Sequence, residues 1–172
     1  VNLKESLKDL IDRQVEGETL ERAFYVDENI FQAELQKIWY KEWLFVAMSC
    51  ELKEQGSWIT VEVAQNSIII TRGMDNIIRA FHNTCRHRGS KICLKEKGKN
   101  RNLVCPYHQW TYNSQGSLIA ARSMPEDFDK SLYSLKPVHL EEVGGYIFIN
   151  LSEKPESFEL FKDTVSPYLL PH

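Results

Sequence analysis

Cys85-Arg86-His87-Arg88-Gly89 and Cys105-Pro106-Tyr107-His108-Gln109-Trp110 decide how the rest of this 172-residue chain reads. As a pattern they are C-x-H, seventeen intervening residues, then C-x-x-H. Each half offers one soft thiolate and one imidazole. Gly89 on one side and Pro106 on the other favour reversing loops that can aim both side chains of a pair inward. Zinc is the competing metal. It uses the same residue types but groups them as C-x2–4-C and H-x3–5-H, whereas each half here is mixed and the first is only C-x-H. Absence of colour would mark the zinc alternative.

A pair of irons gives the spacing a reason. In a Rieske-type [2Fe-2S] cluster two cysteines hold one iron and two histidines the other. If each loop supplies one of each, the Cys and His of a loop must lie a few residues apart to reach neighbouring metals. Cys85, His87, Cys105 and His108 are therefore the candidate ligands, and electron transfer is the candidate function. With neutral imidazoles this ligand set leaves the oxidised cluster without net formal charge, which makes it easier to reduce than a four-thiolate cluster.

The surroundings of the two motifs are β-rich. WLFVAM (43–48), WITVEV (58–63), SIIIT (67–71), IIRAF (77–81), LVC (103–105), WTYN (110–113), SLIA (117–120), PVHL (137–140) and YIFINL (146–151) are short and rich in β-branched and aromatic residues. Gly56-Ser57, Gln65-Asn66, residues 73–76, Gly116 and Gly144-Gly145 are turn signals between them. The segments 85–101 and 121–135 read as long loops. Leu3, Leu7, Leu10 and Ile11 share a helical face over residues 3–14, with Gly17 as a stop. Asp27 is placed to cap a second helix near 28–40, whose stripe of Ile30, Phe31, Leu35, Ile38 and Trp39 reads as core packing. ESFELFKDTV (156–165) predicts a last short helix. The fold class expected is mainly β, an antiparallel [2Fe-2S] domain of several short-stranded sheets. Its expected divisions are a helical arm over 1–42, the cluster domain over 43–152, and a C-terminal helix or linker over 153–172.

Composition narrows the function. A formal net charge of −3 argues against a nucleic-acid binder or a binder of anionic membranes. No apolar run approaches the ~20 residues of a membrane helix, and the charged N-terminus shows no secretion signal. Four cysteines in a chain of this length do not suggest a disulfide scaffold, so a reducing, cytoplasmic setting is expected, with Cys50 and Cys93 as free thiols. His82, His139 and His172 occur singly and read as structural or surface histidines. Arg86, Arg88, Lys91, Lys95, Lys97, Lys99 and Arg101 face only Glu96 within residues 86–101, which reads either as a solvated loop or as a surface that steers an acidic electron donor.

CRHRG followed by CPYHQWTY closely resembles the Rieske domain of ring-hydroxylating-type oxygenase α-subunits. The flanking RAFYVDENIF, IWYKEWLFV, AFHNTCRHRGSKIC and VGGYIFINL extend the likeness over essentially the whole chain. Within that family the sequence is similar to oxygenases that attack quaternary ammonium compounds: the glycine betaine, stachydrine and carnitine monooxygenases. The resemblance implies a terminal oxygenase component that takes electrons from a reductase or ferredoxin. It implies their delivery to a mononuclear Fe(II) in a catalytic domain, in cis or in a neighbouring subunit of a homotrimer. It also implies that His108 faces a carboxylate of that neighbour. No two-His, one-carboxylate cluster is visible in this chain, which by itself is not expected to turn over substrate. It ends at SPYLLPH, about where the family continues, so an N-terminal piece of a longer protein, shortened or naturally split, is expected. A stand-alone Rieske ferredoxin is the alternative, though it has little need for the helical arm and tail.

Respiratory Rieske proteins tie their cluster loops with a disulfide. Ser90 and Tyr107 stand in those positions here. Trp110 stands where they carry a hydrogen-bonding Ser, and Tyr112 matches their cluster-side tyrosine. Trp110 and Tyr112 are thus expected beside the cofactor. The missing donor implies a potential towards the lower end of the roughly −150 to +300 mV span.

Overall fold

The computed structural model describes residues 3–170. Among the described residues there are ten strands, nine of which follow the expected segments: β1 Leu44–Met48, β2 Ser57–Val63, β3 Asn66–Arg72, β4 Ile78–His82, β5 Lys97–Lys99, β6 Leu103–Val104, β7 Thr111–Tyr112, β8 Leu118–Ala120, β9 Pro137–Val143 and β10 Tyr146–Asn150. Seven form one antiparallel sheet in the order β1-β10-β9-β4-β3-β2-β5, and three form a small sheet β6-β7-β8. Gly144 and Gly145, both at positive φ, make the two-residue β9–β10 connection that such a hairpin needs.

Strand β3 explains why the domain holds together. Its three consecutive isoleucines are fully buried, which requires cover on both faces. Ile68 and Ile70 join Ile59, Val63, Ile147 and Ile149 in one core. Ile69 points the other way, into a core shared with Trp58, Phe81, Leu103, Trp110, Tyr112 and Leu118. This second core lies between the two sheets and contains Cys85 and Cys105. The candidate ligands therefore sit where the small sheet is packed onto the large one.

Several expectations need correction. Helix α1 (Leu3–Asp12) ends earlier than residue 14, and a short α2 (Ala23–Val26) was not foreseen. Asp27 does cap α3 (Glu28–Glu34), accepting from the Asn29 and Ile30 amides. The helix does not run to 40 as α-helix, because residues 35–39 widen into a π turn closed by Tyr40 N to Leu35 O. Its stripe is not all core: Ile30 and Leu35 are buried, but Phe31, Ile38 and Trp39 are about half exposed. The expected 85–101 loop contains β5, which pairs with β2. No apolar alternation betrays Lys97-Gly98-Lys99; the pairing works because Gly98 leaves room for the Trp58 indole, which a β-carbon would strike. A 3-10 turn, Lys130–Tyr133, interrupts the second loop. The β2–β3 turn centres on Ala64-Gln65, one residue before the expected pair, with Ala64 at φ +52°. Helix α4 (Phe158–Leu169) runs past 165 and through Pro167. It packs Phe158 and Phe161 on Phe148 and Trp43.

Candidate [2Fe-2S] cluster site

The first cluster loop leaves the end of β4, and the second links β6 to β7. Both close on the same backbone frame. The Cys85 amide donates to Ser90 O (2.8 Å) and the Gly89 amide to Cys85 O (2.9 Å). In the second, the Cys105 amide donates to Trp110 O (2.9 Å) and the Gln109 amide to Cys105 O (3.0 Å). Gly89 and Gln109 occupy the same position in the two turns and both have positive φ, +73° and +60°. Glycine adopts this region freely, whereas Gln109 pays a strain of about 1 kcal/mol. Its side chain is held by Arg122, which donates to Oε1 at 2.7 Å.

The two turns bring together every residue that the sequence nominates. The His87 and His108 rings lie 4.7 Å apart, edge to face. Trp110 stacks on His87 at 4.8 Å with planes 12° apart, and is itself backed by Phe128 and Tyr133. Cys85 and Cys105 are buried and unbridged. Tyr112 sits beneath the first loop: it accepts from the Arg86 amide (3.0 Å) and lies 3.3 Å from Cys85 Sγ. Because the amide already donates to the phenol oxygen, the hydroxyl hydrogen is free to point at sulfur.

Electrostatics suit metal ligation. Burial pushes the Cys85 thiol up. Tyr112 and the His87 backbone work against that shift, while Cys105 adds to it. Two thiolates buried side by side need a nearby cation, which the ferric iron of a bound cluster would supply. Burial and the neighbouring Cys85 sulfur raise the Tyr112 hydroxyl, which stays a donor. Desolvation, then His108 and Arg88, holds the His87 imidazole below its ordinary value, favouring the neutral ring that coordinates metal.

The fit to a cofactor can be tested on buried polar atoms. Among the described residues three buried side-chain nitrogen or oxygen atoms have no hydrogen-bond partner: His108 Nδ1, Trp110 Nε1 and Ser152 Oγ. Orphaned polar atoms are costly, and two of these three lie in the second cluster loop. A metal at His108 Nδ1 removes the first penalty. No three His, Cys, Asp or Glu side chains among the described residues converge on a point that could hold a single ion. A two-iron cluster makes no such demand, because it takes only two protein ligands at each metal. Cys85, His87, Cys105 and His108 fit that cluster as its donor set.

Sequence reasoning missed Asn83. It is buried, and its carboxamide uses every polar position: Oδ1 accepts from the Ile92 and Cys93 amides (3.0 and 2.9 Å), and Nδ2 donates to Cys93 O (2.8 Å) and Ser67 Oγ (3.1 Å). Asn83 thus clamps the return of the first cluster loop onto the end of β4. Ser67 continues to Glu62 (2.7 Å), which also takes Lys91 from the loop (2.9 Å). No distinct sequence signal marks it, because Asn83 stands just after β4 in a polar His82-Asn83-Thr84 run.

The remaining thiols and histidines lie apart from this group. Cys50 is exposed, and the buried Cys93 thiol is pushed up to about 12 by burial. His82 is partly buried on β4 and His139 exposed on β9, while His172 lies outside the described residues.

This construction matches a known family. The model of the Rieske [2Fe-2S] domain matches residues 42–139, and the chain belongs to that family. It is 41% identical over 170 residues to the glycine betaine monooxygenase oxygenase subunit of Pseudomonas aeruginosa, covering 98% of this chain and 40% of the relative. It is 39% identical over 147 residues to the carnitine monooxygenase oxygenase subunit of Escherichia coli, covering 84% and 39%. Among solved structures, the quaternary ammonium Rieske monooxygenase CntA superposes with TM-score 0.78 at 37% identity, covering 86% of this chain and 42% of that one. Naphthalene 1,2-dioxygenase from Rhodococcus sp. gives 0.87 at 28% identity, covering 98% and 40%. The chain thus spans about two-fifths of the length of these relatives. Among the described residues no helix is long and apolar enough to cross a membrane.

Proposed function

We propose that Cys85 and Cys105 hold one iron of a [2Fe-2S] cluster and His87 and His108 the other. In this reading the chain is the electron-transfer module of a terminal oxygenase component. The observation that carries the assignment is the pair of equivalent turns, which carry two buried sulfurs and two adjoining imidazoles, with His108 Nδ1 lacking a hydrogen-bond partner among the described residues. Bound there, the cluster supplies a one-electron store. The protein's own contribution is to exclude water with Trp110, to donate the Tyr112 hydroxyl to Cys85 Sγ, and to leave the two histidine edges partly open to solvent.

The electrons come from a reductase or ferredoxin. They pass to a mononuclear iron in a catalytic domain, in cis or from a neighbouring subunit of a homotrimer, for O2-dependent hydroxylation or demethylation of a quaternary ammonium compound. Identities near 40% to betaine and carnitine oxygenase subunits support that substrate class. Residues 43–152 would form the cluster unit, with 1–42 as its arm and 153–172 leading towards the catalytic domain, in a reducing compartment such as the cytoplasm.

EPR of the dithionite-reduced protein, with iron and acid-labile sulfide assays, tests the assignment. The expected result is two irons and two sulfides per chain, with an average g below that of four-cysteine clusters. Colourless protein holding neither iron nor sulfide after anaerobic reconstitution overturns it.

A further inference from the structure

We propose that the groove between residues 92–95 and 102–106 is the docking face for a protein electron donor whose own contact surface is acidic. This inference rests on the electron-carrier reading above and adds to it the place and chemistry of the donor.

The seven cations of residues 86–101 are not equivalent in the folded chain. Lys91 is paired with Glu62 at 2.9 Å, and Lys99 is paired with Glu54. Arg86, Arg88, Lys95, Lys97 and Arg101 are exposed, and none makes an ion pair among the described residues. The chain as a whole carries −3, so the excess of cations over residues 86–101, where Glu96 is the one acid, is a local feature.

Lys95 lines a largely apolar groove of about 300 Å³, and Arg101 stands between two of its lining residues, Asn100 and Asn102. Trp58 and Ile92 are buried in its floor, while Leu94 is 72% exposed and Val104 49% exposed at its lips. Leu94 does not dangle there by chance. The preceding residue, Cys93, is bonded through both its amide and its carbonyl to the buried Asn83, so the leucine is presented on a rigid support. One end of the groove is Pro106, adjacent to the candidate ligand Cys105 and two residues before His108. A small apolar centre within a charged rim is the anatomy of a transient protein contact. Like charges around it steer a partner of opposite sign and speed encounter, and a site beside the cluster loop keeps the electron path short.

The test is stopped-flow reduction of the cluster-loaded protein by a reduced plant-type [2Fe-2S] ferredoxin, an acidic carrier, with photoreduced deazariboflavin as the uncharged comparison. The ferredoxin rate should fall as salt rises. Lys95→Glu with Arg101→Glu, at the groove and between its lining asparagines, should slow it about tenfold at low salt. Leu94→Ser should slow it at every salt concentration. The same charge change at Lys37 and Lys154, which do not line the groove, should leave it within about twofold. Deazariboflavin should reduce all variants alike. A salt-independent ferredoxin rate, or equal slowing by the Lys37 and Lys154 pair, overturns the docking face and leaves the electron carrier standing. Failure of deazariboflavin to reduce even the unsubstituted protein overturns both.

Discussion

Residues 85–90 and 105–110 are one turn written in two ways. Each is closed by the same pair of backbone hydrogen bonds, and each puts its fifth residue at positive φ. They differ in where the histidine falls, two residues after the cysteine in the first and three in the second. The repeated unit is therefore the backbone turn, and the ligand position is a variable set upon it. The supports differ as well. The first turn is clamped by the hydrogen-bonding capacity of one buried side chain, Asn83. The second is wedged from behind by Trp110, Phe128 and Tyr133 and sits on the small sheet. Two chemically different anchors, one polar and one aromatic, hold equivalent turns in register.

That equivalence can be broken most severely at the sulfurs. Cys85→Ala and Cys105→Ala should each abolish bound iron and acid-labile sulfide, because in the proposed arrangement each loop supplies half of one iron's thiolates. Retention of cluster by either variant would show that the loops are not equal partners. Next in size is Asn83→Ala, which strands the Ile92 and Cys93 amides. It should cost about 3 kcal/mol in urea unfolding, since each unmet buried group costs on the order of 1–3 kcal/mol. Gln109→Ala, which loses only an exposed contact to Arg122, should cost below about 0.5 kcal/mol.

Tyr112→Phe removes the hydroxyl that serves the first loop alone. At about 1 kcal/mol for the bond to sulfur, the midpoint potential should drop on the order of 40 mV, read by redox titration. The left-handed position gives a reciprocal pair. Gly89→Ala should destabilise by about 1 kcal/mol from backbone strain alone, because nothing lies within 4 Å of the added carbon. Gln109→Gly should relieve a similar strain, offset by the lost Arg122 bond and the greater freedom of the unfolded chain. Thermal unfolding of the two variants compares them directly.

The smallest effect expected concerns the strand that leads into the first loop. Burial, and then Lys136, lowers the His82 pKa, and Arg86 lines the same hollow. The unfolded chain therefore binds this proton more readily than the folded one. The associated stability is present above about pH 6.5 and is lost as pH falls below it. His82→Gln should flatten that part of the stability–pH curve, measured by urea titration from pH 7.5 to 5.

Much of this was legible in the chain. The short runs located nine of ten strands, because β-branched and aromatic side chains favour the pleated sheet and turn residues separate them. The tenth, Lys97-Gly98-Lys99, was hidden because its pairing depends on a glycine accommodating a distant indole. The four candidate donors stood out since their chemistry is confined to short spacings. Asn83 and the strained Gln109 were not, since a carboxamide's partners and a residue's φ are set by neighbours far along the chain.

What the sequence by itself determined is the family and the β-rich class, and it nominated the candidate donor set, all from local pattern. Only the tertiary structure decided which cations of the basic segment stay unpaired, how much of the arm's apolar stripe remains exposed, and which buried side chains hold the turns. Those are long-range facts: Lys91 meets a carboxylate 29 residues away and Lys99 one 45 residues away. Proximity of that kind is created by the packing of one sheet on another and has no signature in the order of residues.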